Sequence, residues 1–233
     1  MTGLRLRVEL DAADAVAATG ATIRRRLSLA IARQGRAALA LSGGSTGSAL
    51  VGALAAAPDI RGGWRAVTVW QVDERVAPDG DPARNATALG ALAGLGAELR
   101  LMPVTAPDLP VAAAAYARSL PERLDVVHLG VGDDGHTASW PPADPIVDQP
   151  AARRVAISGV FNGRVRMSLL PATVNAAGSR VALVTGADKA DAVAAWVEGA
   201  PFDADLPVRL VRRAATTLIV DRAAASKLTR SVS

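Results

Sequence analysis

Ala37-Ala38-Leu39-Ala40-Leu41-Ser42-Gly43-Gly44-Ser45-Thr46-Gly47 is the stretch on which the fold turns. Five small aliphatic residues in a row suit a strand buried on both faces, as in a parallel sheet covered by helices. The run ends abruptly in glycines and hydroxyls, and a helical pattern then passes through Leu50 and Leu54 to Pro58. Strand, glycine turn, helix is the opening of a βαβ unit.

The same rhythm extends in both directions. Residues 4–10 alternate apolar and polar and predict a first strand; residues 12–33 predict a long Ala-rich helix stopped near Gly35. Downstream, strands are expected at 67–72, 101–104, 125–129, 181–184 and 217–220. Helices are expected at about 85–95, 111–120 and 188–197, with a short one at the end of the chain. Residues 141–154 are rich in Pro and Asp and read as loop. Residues 155–157 and 165–169 predict a hairpin about Asn162-Gly163. The expectation is an α/β fold: a doubly wound, mostly parallel sheet with helices on both faces, Rossmann-like, plus a small antiparallel addition. No internal repeat and no long linker divides the chain, so residues 1–233 read as a single domain.

In open sheets of this kind ligands bind outside the carboxyl ends of the strands. The four segments densest in glycine and polar residues, 42–47, 73–75, 130–139 and 185–189, each follow a strand directly. Their convergence on one edge is the main functional expectation.

Composition narrows the chemistry. Half the residues are hydrophobic, yet only four Trp, one Tyr and two Phe are aromatic, so the core is built of small side chains. The absence of Cys removes disulfides, thiolate metal sites and a Cys nucleophile. A net charge of +4 is mild and comes almost wholly from Arg, since Lys189 and Lys227 are the two lysines; it favours a small anionic ligand over nucleic acid. The cluster Arg24-Arg25-Arg26 reads as a solvated helix face. Residues 1–7 lack the apolar core of a signal peptide, and no uncharged run reaches the roughly 20 residues that span a bilayer. A cytoplasmic protein without membrane or nucleic-acid partners, monomeric or weakly dimeric, is expected.

Residues 42–47 offer backbone N–H groups at a helix start, with Ser45 and Thr46 as hydroxyl donors, a place for an anion. They match neither the Walker pattern nor the dinucleotide fingerprint nor a hydrolase elbow. Lys189, at another helix start, is a compact charge in a chain that otherwise uses Arg. Asp73-Glu74-Arg75 stands at the mouth of a strand, where Arg75 can polarise a carbonyl oxygen and Asp73 can orient a hydroxyl or a histidine. His136 lies in Gly130-Val131-Gly132-Asp133-Asp134-Gly135-His136-Thr137-Ala138-Ser139, a polar loop suited to a general base, because histidine is the side chain that ordinarily titrates near neutrality. His128 falls inside a strand and reads as structural. With one loop histidine, and an Asp133-Asp134-Gly135 spacing foreign to an EF-hand, neither metal nor cofactor is expected.

These segments, in this order, resemble the 6-phosphogluconolactonase family within the group that also holds glucosamine-6-phosphate deaminases. The matching residues are Ser42-Gly43-Gly44-Ser45-Thr46, Asp73-Glu74-Arg75 with Asn85, residues 129–139, and Thr185-Gly186-Ala187-Asp188-Lys189-Ala190. Deaminases of the group carry Asp-Glu-Tyr in place of Asp73-Glu74-Arg75, and Gly-His-Ile-Ala-Phe-Asn-Glu at the histidine loop. Trp140-Pro141-Pro142 and Arg84 depart from the family pattern, and the stretch 163–169 leaves both Arg164 and Arg166 open as a phosphate ligand, with Arg166 the better match. The resemblance implies hydrolysis of 6-phospho-D-glucono-1,5-lactone. His136 would be the base, Arg75 would face the oxyanion and Asp73 would orient. Gly43, Gly44, Ser45, Thr46, Asn85, Arg166 and Lys189 would hold the substrate. The alternatives are a deaminase or isomerase on the same fold, and a non-catalytic sugar-phosphate-binding regulator.

Overall fold

The computed structural model describes residues 3–229. Residues 1–2 and 230–233 lie outside that range, and with them the start of the segment read for a leader and the end of the expected terminal helix.

The inner strands of the large sheet are short and largely aliphatic, as a sheet covered on both faces demands. In chain order the elements are β1 (Arg5–Glu9), α1 (Ala12–Gln34), β2 (Ala37–Leu41), α2 (Gly44–Ala56), β3 (Val67–Gln71), β4 (Asp73–Arg75), α3 (Ala86–Gly94), β5 (Glu98–Arg100), α4 (Leu109–Ser119) and β6 (Val126–Leu129). They continue with β7 (Val155–Ile157), β8 (Arg166–Leu169), α5 (Pro171–Ala176), β9 (Ser179–Val184), α6 (Ala190–Glu198) and β10 (Thr216–Asp221). Seven strands pair in the order β1-β10-β9-β6-β2-β3-β5, every pair parallel. Strands β4, β8 and β7 form a small antiparallel sheet.

Alternation along β2 divides the core. Leu39 and Leu41 pack with α1, α2 and α3 through Ile23, Leu27, Leu50, Leu54, Leu89 and Leu92. Ala40 packs on the opposite side with Tyr116 of α4, Val174 of α5, and Val193 and Trp196 of α6. That second cluster also contains Val155 and Met167, so the small sheet shares its core with the large one. Helix α1 shows how local sequence sets its ends. Asp11 accepts the Asp14 N–H at 2.9 Å, a cap of the kind worth about 1 kcal/mol. Gly35, with φ 75°, closes the far end by donating to Ile31 O. No helix among the described residues is long and apolar enough to cross a membrane.

Three expectations are corrected. The strand expected at 101–104 lies earlier, at Glu98–Arg100. Met102 and Val104 are buried without being paired in a ladder, and Pro103 between them has no N–H to give one. The terminal helix is instead a run of turns, in which the Asp221 carboxylate accepts the Ala224 N–H at 2.7 Å. Asp73-Glu74-Arg75, expected to follow the strand at 67–72, is itself a strand, antiparallel to β8.

The order of the large sheet determines where a ligand fits. From β2 the chain winds outward through β3 and β5, then returns to place β6 on the other side of β2. The crevice at such a reversal lies outside the carboxyl ends of β2 and β6. Residues 42–47 and 130–139 leave the sheet there.

His128, in the middle of β6, is fully buried, and neither ring nitrogen has a partner among the described residues. Burial pushes its pKa down from the ordinary 6.5 to about 4. The unfolded chain therefore takes up a proton between about pH 6.5 and 4 that the native state refuses, so stability is lost as pH falls through that window. At about 1.4 kcal/mol per pH unit the loss reaches about 3 kcal/mol at pH 4. His128→Leu should show a correspondingly smaller loss in urea denaturation between pH 7 and pH 4. Equal losses in the two proteins would refute this account of His128.

Candidate active site

Helix α2 begins inside the glycine segment, at Gly44, so Ser45, Thr46 and Gly47 form its first turn. No side chain caps it and no acidic residue lies in that turn, which leaves its N–H groups and partial positive charge facing outward. Gly43 is required by its neighbour: a Cβ there would lie 1.9 Å from Asn85 Oδ1.

Asn85 is held from below. Its Nδ2 donates to Asp73 O at 2.9 Å, and its backbone N–H donates to Glu74 Oε1 at 2.8 Å. Glu74 is fully buried and is the hub of this corner. It also accepts from Gln71 Nε2, the Arg75 N–H and the Ala86 N–H, at 2.7 to 2.9 Å. Arg84 Nε stands 3.1 Å from it, an ion pair off the hydrogen-bonding direction. Alternation in β4 sends Asp73 and Arg75 to one side, toward the crevice, and Glu74 to the other.

Asp73 Oδ2 accepts the Ser139 hydroxyl at 2.8 Å and lies 3.9 Å from Arg166 Nη1. Burial raises the Asp73 pKa above the ordinary carboxylate range, against the opposing pull of the Ser139 hydroxyl, Arg75 and Arg166. Arg75 donates from Nη1 to Ala83 O at 2.6 Å, while its buried Nε has no partner.

The imidazole is oriented by a residue that sequence reasoning passed over. Asp134 Oδ1 meets His136 Nδ1 at 2.5 Å and also accepts the His136 N–H at 2.9 Å. A carboxylate at Nδ1 makes that the protonated nitrogen and leaves the lone pair on Nε2. Partial burial works to raise the Asp134 pKa, but the His136 N–H and ring together outweigh it and hold the carboxyl low. Gly132 leaves room for this pair, since a Cβ there would lie 2.0 Å from His136 Nδ1. Of the two tasks expected of Asp73, orienting the histidine falls to Asp134. The local signal was an Asx turn, with Asp134 two residues before His136.

Arg166 projects from β8 with its side chain 8% exposed and its Nε unpartnered. Arg164 lies apart from it, paired with Asp81 at 3.3 Å. Lys189 Nζ sits 2.9 Å from Asp188 and 3.7 Å from Asp133.

These pieces enclose one cavity of about 420 Å³. Gly43, Gly44, Ser45, Thr46, Asp73, Arg75, Asn85, His136, Arg166 and Lys189 all line it; Arg164 does not. Among the described residues no three His, Asp or Glu side chains converge as a metal site would need.

Residues 10–220 match the family model described as glucosamine-6-phosphate isomerases/6-phosphogluconolactonase. The chain belongs to this family. Within it, the 6-phosphogluconolactonase of Streptomyces coelicolor is 36% identical over 225 residues, covering 86% of this chain and 85% of the relative. That of Mesorhizobium japonicum is 38% identical over 202 residues, covering 82% of each. Among solved structures the 6-phosphogluconolactonase of Trypanosoma cruzi superposes with a TM-score of 0.82 over 98% of both chains, at 22% identity. A monomeric glucosamine-6-phosphate deaminase superposes at 0.80 with 15% identity, covering 96% of this chain and 99% of the deaminase. The family fold thus carries both chemistries, and the side chains in the cavity must decide between them.

Proposed function

We propose that this protein hydrolyses 6-phospho-D-glucono-1,5-lactone to 6-phospho-D-gluconate, the second step of the pentose phosphate pathway, with water activated by His136. One observation carries the reading. The histidine backed by Asp134 opens on the same cavity as the free start of α2, Arg166 and Lys189. A cavity of about 420 Å³ lined by both a base and an anion site suits a small ester that carries a phosphate at its far end.

The phosphate rests on the N–H groups and hydroxyls of Ser45 and Thr46, with Arg166 and Lys189 supplying charge. Anchored there, the lactone presents its carbonyl to His136. Nε2 takes a proton from water as the water oxygen bonds to C1, and the carbonyl oxygen becomes an oxyanion facing Arg75. The C1–ring oxygen bond then breaks, and the imidazolium returns its proton to the departing oxygen. Base catalysis of this kind contributes about 10²–10⁴-fold and an oxyanion donor about 10²–10³-fold.

The test uses one preparation. Acid release from fresh phosphogluconolactone should greatly exceed the spontaneous rate, with and without exhaustive EDTA, because the chain offers one loop histidine and no thiolate to a metal. Glucosamine 6-phosphate should yield no ammonia, since Arg75 stands where the deaminases carry Tyr. Ammonia release without lactone hydrolysis would move the protein to the neighbouring activity. Activity lost to EDTA and restored by a divalent metal would remove the mechanism.

A further inference from the structure

The tip of the β7–β8 hairpin carries a side chain that this mechanism leaves unused. The Ser158 N–H donates to Arg166 O at 2.8 Å, and the Phe161 N–H to Arg164 O at 2.9 Å. The turn they close, Asn162-Gly163, has positive φ at both residues, 50° and 74°. Two positive φ values suit the twist of the flanking strands, and Asn-Gly adopts them at little cost. The turn therefore sets the place of Phe161 instead of leaving it on a slack loop. Its ring lies 4.9 Å from the His136 ring, centroid to centroid, with the planes at 72°. Arg166 Cζ stands 4.9 Å from the same ring centroid. One ring thus touches two side chains of the cavity, the histidine and the better buried of its outer cations.

We propose that Phe161 is a positioning residue that aligns His136 and Arg166 with each other, so that a substrate held by its phosphate meets the base in register; the catalytic half of this rests on the lactonase reading. A guanidinium held over the face of a ring is attracted to it without spending an N–H group, so the unpartnered Nε stays available to a phosphate oxygen. Asp134 pins the imidazole at Nδ1 alone, which still permits the ring to swing about that contact. The edge-on contact with Phe161 restrains the swing. An aliphatic side chain would fill the same space without either preference.

Three variants separate alignment from bulk. Phe161→Ala should raise KM for phosphogluconolactone about tenfold and lower kcat about tenfold. Phe161→Leu should stay close to Phe161→Ala, whereas Phe161→Tyr, which keeps the ring, should recover most of both constants. In an Arg166→Ala background, Phe161→Ala should lose its effect on KM and keep its effect on kcat, because the two side chains act on binding through one contact. Calorimetric titration with inorganic phosphate reads the arginine half without turnover, and there Phe161→Ala should weaken binding about fivefold. An inactive wild type would remove the substrate assignment and leave this proposal to the phosphate titration. Recovery by Leu, or wild-type kinetics and phosphate affinity in Phe161→Ala, would overturn it.

Discussion

His136→Ala should lower kcat for phosphogluconolactone at least about 10²-fold and leave KM nearly unchanged. The size follows from what a positioned base contributes, about 10²–10⁴-fold. The split follows from where the proposed mechanism has the ring act: on the attacking water and the departing oxygen, not on the phosphate that supplies affinity. A loss shared equally between kcat and kcat/KM marks an interaction made only in the transition state. Asp134→Asn should reproduce part of this loss, because an amide nitrogen can face Nδ1 and so favour the tautomer with its proton on Nε2. Initial rates for the three proteins, corrected for spontaneous opening of the lactone, decide the matter. Undiminished turnover in His136→Ala would refute the assignment of His136 as the base.

The inner strands β2, β3, β6, β9 and β10 were legible because they are buried on both faces and read as short, largely aliphatic runs, whereas β1, at the edge, showed itself by alternation. Part of the candidate site was legible for a related reason: residues from 42–47, 130–139 and 185–189 leave the large sheet at its carboxyl edge and line one cavity. What escaped depends on contacts between neighbours. Asp73 and Glu74 are adjacent acids, and only the pairing of β4 with β8 shows that Asp73 faces the cavity while Glu74 anchors the corner beneath it. Three charged residues carry no period from which to read a strand. The Asp134–His136 pair is closed by an Asx turn whose residues fit several other loops equally well. Phe161 is one aromatic residue in a hairpin, and nothing local marks it as touching residues 25 positions upstream and five downstream. Met102 and Val104 misled in the opposite direction, since burial beside Pro103 imitates a strand.

Arg166→Ala should raise KM for phosphogluconolactone about 10²-fold, and Lys189→Ala about tenfold. The difference comes from burial. The Arg166 side chain is 8% exposed and Lys189 is 24% exposed with Asp188 already at 2.9 Å. Truncating a desolvated charge that meets a charged ligand costs about 2–5 kcal/mol, whereas an exposed, already paired cation gives up much less. Both changes should act mainly on KM, because the phosphate that the proposed mechanism gives them to hold does not react. Some kcat falls with it, since remote binding energy also places the ester against His136. The unphosphorylated lactone supplies the control: wild type should hydrolyse it poorly, and Arg166→Ala should make little further difference, because the partner of Arg166 is already missing. If Arg166→Ala impaired hydrolysis of both lactones by the same factor, Arg166 would be serving the ester or the fold around Asp73, and the start of α2 with Lys189 would have to hold the phosphate without it.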